Sequence, residues 1–104
     1  MTQDPLVPQD LELVRSVLRQ HPEIECATLF GSRAKGTHTP RSDVDLALAG
    51  PLGALGADAI AAELEELHLP YRFDVHALAA ITHAPLLEHI KCVGQVIYRS
   101  GAQP

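Results

Sequence analysis

A chain of 104 residues buries roughly two-thirds of the surface its unfolded form exposes, enough for one hydrophobic core and not for two. The composition, 46% hydrophobic and 20% charged, is that of a soluble globular protein. A formal net charge of −5 argues against general nucleic-acid binding, which needs a basic surface.

The N-terminal stretch MTQDPLVPQD carries acids and prolines where a signal peptide needs a basic start and an apolar core. From Pro8 to Gln20, Leu11, Val14, Val17 and Leu18 recur at helical spacing, with Pro8 suited to a first turn and Pro22 ending the helix. Next, EIECATLF (23–30) alternates Ile24, Cys26 and Thr28 against Ala27 and Leu29, and predicts a strand running into Gly31. The twelve residues from Gly31 to Ser42 hold Arg33, Lys35 and Arg41 and no acid. That local positive segment suits a small anionic ligand better than a polymer. DVDLALAG (43–50) predicts a second strand, stopped by Gly50 and Pro51.

Leu55 to His68 is an amphipathic helix, with Ile60, Ala61, Leu64 and Leu67 on one face, Glu63, Glu65 and Glu66 on the other, and Pro70 beyond its end. YRFDVHAL is a third strand, APLLEHIKCV a last helix and QVIY a short final strand. The longest uncharged run, Leu46 to Ala57, is interrupted by Gly50, Pro51, Gly53 and Gly56, and falls short of the ~20 apolar residues of a membrane span. Cys26 and Cys92 are too few for a disulfide framework and sit in apolar surroundings, so both are expected as buried thiols of a cytoplasmic protein. The expectation is one domain over residues 1–104, with its core from 9 to 99 and a flexible tail from 100 to 104. Its class is α/β (α+β), a small sheet with helices packed on one face, covering Val44, Leu46 and Leu48.

Asp43 and Asp45 then share the opposite face of the second strand, with Cβ atoms roughly 6–7 Å apart. At that range they repel, and partial burial raises the cost of ionising both. A salt bridge to Arg41 on a solvated edge strand, a shared proton, or a divalent cation would justify the pair. The cation fits best if a third carboxylate arrives from a neighbouring strand, and Asp74 is the candidate, with Phe73 and Val75 on the core side. Carboxylate oxygens suit Mg²⁺, one ion or two, sharing its ligands with substrate phosphates. Gly31 lets the backbone approach a phosphate, Ser32 offers a hydroxyl and an N–H, and Arg33 and Lys35 could neutralise remaining phosphate charge. Gly31 and Gly36 have the spacing of a P-loop, but Thr37 and His38 stand where its Lys and Ser/Thr belong. The six histidines are scattered without a zinc-ligand context, although His76 shares the face of Asp74 if that strand is regular.

GSRAKG, a five-residue gap and SDVDL, followed by LPYRFDVHAL and ITHAPLLEHIKCVGQVIY, resemble the minimal nucleotidyltransferases (MNT domains) of the DNA polymerase β superfamily, from about Gln9 to Arg99. The resemblance implies a mixed sheet with flanking helices. It implies that Ser32 contacts triphosphate oxygens, that Asp43 and Asp45 bind metal, and that Asp74 activates an attacking hydroxyl. It further implies AMP transfer from ATP, and in similar proteins the acceptor is a tyrosine of a HEPN-domain ribonuclease toxin, with the MNT domain as antitoxin. A chain this short has no spare core for an acceptor-binding domain, so a protein partner or a second copy of the chain is expected to complete the cleft. Transfer to a small molecule such as an aminoglycoside, and a non-catalytic subunit that inhibits by contact, are the alternatives.

Overall fold

The alternation of Val44, Leu46 and Leu48 with Asp45, Ala47 and Ala49 sets the layout, because successive side chains of a strand face opposite sides of its sheet. The computed structural model describes residues 7–31 and 43–100. Helix α1, Pro8–Arg19, begins with a proline whose ring presets the first-turn φ, and buries Val14, Val17 and Leu18 along one stripe. Strands β1, Cys26–Phe30, and β2, Val44–Ala49, follow. Helix α2, Ala54–Glu65, buries Ala57, Ile60 and Leu64. Strand β3, Phe73–Ala77, leads through a 3-10 turn, Leu78–Ala80, to helix α3, Ala84–Val93, and strand β4, Gln95–Arg99. Helix α2 stops three residues before the predicted His68, which itself takes a left-handed φ of 56°.

The sheet order is β3-β2-β1-β4. β1 is antiparallel to both β2 and β4, whereas β2 and β3 run parallel and are joined by the α2 crossover. The sheet is therefore mixed, as the resemblance implies. Helices α1 and α2 cover the face of Val44, Leu46 and Leu48, which are wholly buried with Leu18, Ile24, Leu29 and Leu64. Each such side chain contributes roughly 1.5–3 kcal/mol. To the one helical layer expected, the structure adds α3 on the other face, where Ile90 packs with Phe30 and Ala47. The physical reason is that this face is only half polar. Asp45 points to it, but so do Ala47 and Phe30, and those need cover.

Hydrogen bonds from side chains tie the layers together. Tyr71 Oη–H donates to Asp10 Oδ2 at 2.8 Å, and the Phe73 N–H donates to Glu65 Oε2 at 2.9 Å. On β4, the register with β1 slips between Ala27 and Thr28, so Ile97 stands unpaired between Val96 and Tyr98. Arg15 Nε–H of α1 donates to the Ile97 carbonyl at 2.7 Å. The cysteines depart from expectation: Cys26 is half-buried on β1, and Cys92 is exposed because α3 turns only Ile90 fully inward. Among the described residues, no helix is long and apolar enough to cross a membrane.

His21, just beyond α1, reaches α2: its Nε2 lies 2.9 Å from Glu63 Oε1, and its Nδ1 lies 3.5 Å from Glu23 Oε2. Glu63, chiefly through its hydrogen bond, holds the imidazole pKa above the ordinary 6.5. The raised folded value means that this tie stabilises the protein fully below the unfolded imidazole value and is lost as pH rises through the folded one. We expect urea unfolding to show a decline in stability above pH ~6.5, of under about 1 kcal/mol for so accessible a pair, and the Glu63→Gln variant to lack it.

Candidate functional site

β2 lies inside the sheet, so Asp45 is not a solvated edge acid. In the parallel register Asp45 stands directly opposite Asp74 of β3, on the face away from the main core. Adjacent strands bring such pairs within about 5 Å of one another at the backbone. Asp43 is exposed just ahead of β2. The half-buried Asp45 has its pKa raised, first by burial and then by the negative charges of Asp74 and Asp43, with His76 and His89 partly opposing. Asp74 and Asp43 thus both bear electrostatically on Asp45.

Gly31 closes the site from β1. Its φ is +80°, a left-handed backbone that favours glycine, and a Cβ there would collide with Asp45 Oδ2. Gly31 therefore sits against the Asp45 carboxylate at the end of β1. Ser32, Arg33 and Lys35, the other predicted phosphate contacts, lie outside the described residues.

Two histidines join the acids. His76 Nε2 lies 3.3 Å from Asp74 Oδ2, and its ring sits 5.8 Å from that of Phe30, which confirms the shared face expected from a regular strand. His89 comes from α3, meets Phe30 edge-on at 6.1 Å, and accepts a hydrogen bond from the Gly31 N–H at Nε2, 3.3 Å away. No spacing in the sequence pointed to His89, since it depends on which sheet face α3 covers. Beyond Asp74 and His76, a cleft of about 310 Å³ opens across the edge of β3, walled by Ala54, Ala57, Ala77, Ala80 and Ile81.

Gly31 at the end of β1 thus abuts one carboxylate, and that carboxylate stands in register with another. The family model described as polymerase beta, nucleotidyltransferase matches residues 12–103. The chain belongs to the polymerase β nucleotidyltransferase family. Solved structures similar to this nucleotidyltransferase domain include a toxin–antitoxin with AMP-PNP, with a TM-score of 0.72 at 21% identity over 91% of this chain and 76% of that one. Another is an MNT antitoxin in complex with a tri-AMPylated HEPN toxin of Shewanella oneidensis, with a TM-score of 0.68 at 19% identity over 88% and 71% of the two chains. A third is the MntA–HepT toxin–antitoxin, with a TM-score of 0.67 at 19% identity over 88% and 72%. At these identities the likeness is one of fold. No curated protein matches the chain by sequence.

Nucleotidyltransferases of this fold use a nucleoside triphosphate and a divalent metal, and the donor chemistry here suits one. The acids supply hard oxygen ligands, and mutual repulsion with burial at Asp45 makes the site electrostatically short of positive charge. As the side chains stand, no three His, Cys, Asp or Glu groups among the described residues are close enough to hold an ion. Asp74 is exposed and engaged by His76, so its carboxylate has room to turn.

Proposed function

We propose that the chain is a Mg²⁺-dependent adenylyltransferase that moves AMP from ATP to a hydroxyl of a HEPN-type toxin and so serves as its antitoxin. The observation that carries this reading is the register of Asp45 with Asp74, acids of two strands facing one another beside Gly31. The AMP-PNP and the AMPylated HEPN toxin of the structural neighbours support it.

In this reading Asp43, Asp45 and Asp74 hold the metal. A bound divalent ion there would supply charge to offset the phosphates and Lewis acidity toward the α-phosphate. Gly31 lets the backbone approach the triphosphate closely, Ser32 presents its N–H and hydroxyl to it, and Arg33 and Lys35 pair with its remaining charge. Asp74 takes the proton of the acceptor hydroxyl as that oxygen bonds to the α-phosphorus. The bond from the α-phosphorus to the bridging oxygen breaks, and pyrophosphate leaves. His76, against Asp74, orients the carboxylate for that transfer.

The test offers labelled ATP, Mg²⁺ and the product of the adjacent gene. We expect label on that protein with the wild-type chain, and at least about a thousandfold less with Asp43→Ala plus Asp45→Ala, given the several kcal/mol of charge stabilisation at stake. No transfer by wild type, or full inhibition of the partner by the double variant without ATP, would replace this reading with a non-catalytic one.

A further inference from the structure

We propose that His89 is a positioning residue of the nucleotide site, holding the Gly31 N–H and thereby fixing the conformation of Gly31 at the end of β1. What the turn grips rests on the transferase reading above; the hold on Gly31 does not.

The β1–β2 ladder ends at Phe30 opposite Asp45, so Gly31 is the first residue past the pairing. Its amide points instead at α3, where His89 Nε2 receives it at 3.3 Å. Accepting that bond uses the Nε2 lone pair, so the ring proton sits on Nδ1. His89 is itself well anchored. The next residue, Ile90, is buried among Phe30 and Ala47, and the imidazole rests edge-on against Phe30. From the other side the Asp45 carboxylate fills the space where a side chain of residue 31 would go. Gly31 is thus fixed between an imidazole on its N–H and a carboxylate at its Cα.

This gives α3 a second task. Besides covering Phe30 and Ala47, it fixes the residue that immediately precedes Ser32, the donor of the proposed triphosphate contacts. Donors fixed before the ligand arrives bind more tightly than donors that must be ordered by it. Losing the hold should therefore weaken nucleotide binding more than it slows the transfer step.

Two substitutions separate the acceptor from the packing. His89→Phe keeps a ring beside Phe30 without an acceptor, and His89→Gln places an oxygen near the Nε2 position. Titration calorimetry with ATP and Mg²⁺, thermal unfolding, and the amide shifts of protein labelled with ¹⁵N-glycine are read together. We expect His89→Phe to melt within a few degrees of wild type, to move the Gly31 amide proton upfield, and to weaken ATP about tenfold, the worth of one hydrogen bond. His89→Gln should recover most of both effects. If the phenylalanine variant does not fold, His89→Leu makes the same comparison. An unmoved Gly31 amide, or wild-type ATP affinity without the acceptor, would overturn the proposal. Failure of the wild-type chain itself to bind ATP would overturn the transferase reading instead, leaving the amide shift to decide whether His89 holds Gly31.

Discussion

Replacing Asp45 with asparagine is expected to stabilise the protein and to abolish nucleotidyl transfer. Burial and the charges of Asp74 and Asp43 disfavour the ionised form of Asp45, and an amide of the same shape removes that cost. The sign follows from the direction of the shift. With the folded pKa raised above the ordinary 3.8, ionisation of Asp45 works against folding once pH exceeds the unfolded value. The asparagine variant should therefore match wild type in strong acid and exceed it at neutral pH. Discounted for partial exposure, a gain of roughly 2–5 °C is expected in a domain where 1 kcal/mol moves Tm by ~4–8 °C. Transfer should fall by on the order of a thousandfold. Differential scanning calorimetry across pH, in the absence of Mg²⁺, checks the stability half. A lower Tm for the variant at pH 7 would mean that the carboxylate is favourably paired rather than strained. Strain of this kind is what the proposed cation site would keep for binding at the expense of folding.

Gly31→Ala should be among the most damaging single-methyl additions in the chain. A left-handed φ costs a non-glycine residue roughly 1–2 kcal/mol, and the collision with Asp45 adds to it, giving about 2–4 kcal/mol in all. A double-mutant cycle separates the two costs. In an Asp45→Ala background the collision disappears and only the backbone cost remains, so the two substitutions should be clearly non-additive. Denaturant unfolding of the four proteins gives the coupling. Simple additivity within about 0.3 kcal/mol would show that Gly31 and Asp45 do not press on one another.

Much of this was legible in the sequence, for identifiable reasons. The period-two alternation through Val44, Leu46 and Leu48 put Asp43 and Asp45 on one face, and Phe73 and Val75 did the same for Asp74. The GSRAKG and SDVDL pair then pointed to the family that the match over residues 12–103 shows. The placement of α3 was not legible. Helical periodicity says that Ile90 is buried, but not against which side of the sheet, and the answer depends on Ala47 and Phe30 two strands away. His89 was lost for the same reason, as a lone histidine on a helix carries no spacing signal. Cys92 misled by its apolar neighbours, which share its helix but not its exposed side.

The slipped register on β4 has a bearing on how the molecule keeps to itself. An outermost strand that is flat, with its carbonyls unclaimed, invites a neighbouring chain to add another strand and so begin a fibril. Here the offset at Ile97 breaks the regular ladder of that border, and the guanidinium of Arg15 already claims the Ile97 carbonyl. The same irregularity that spoils one rung of pairing inside the fold denies a template to strangers outside it.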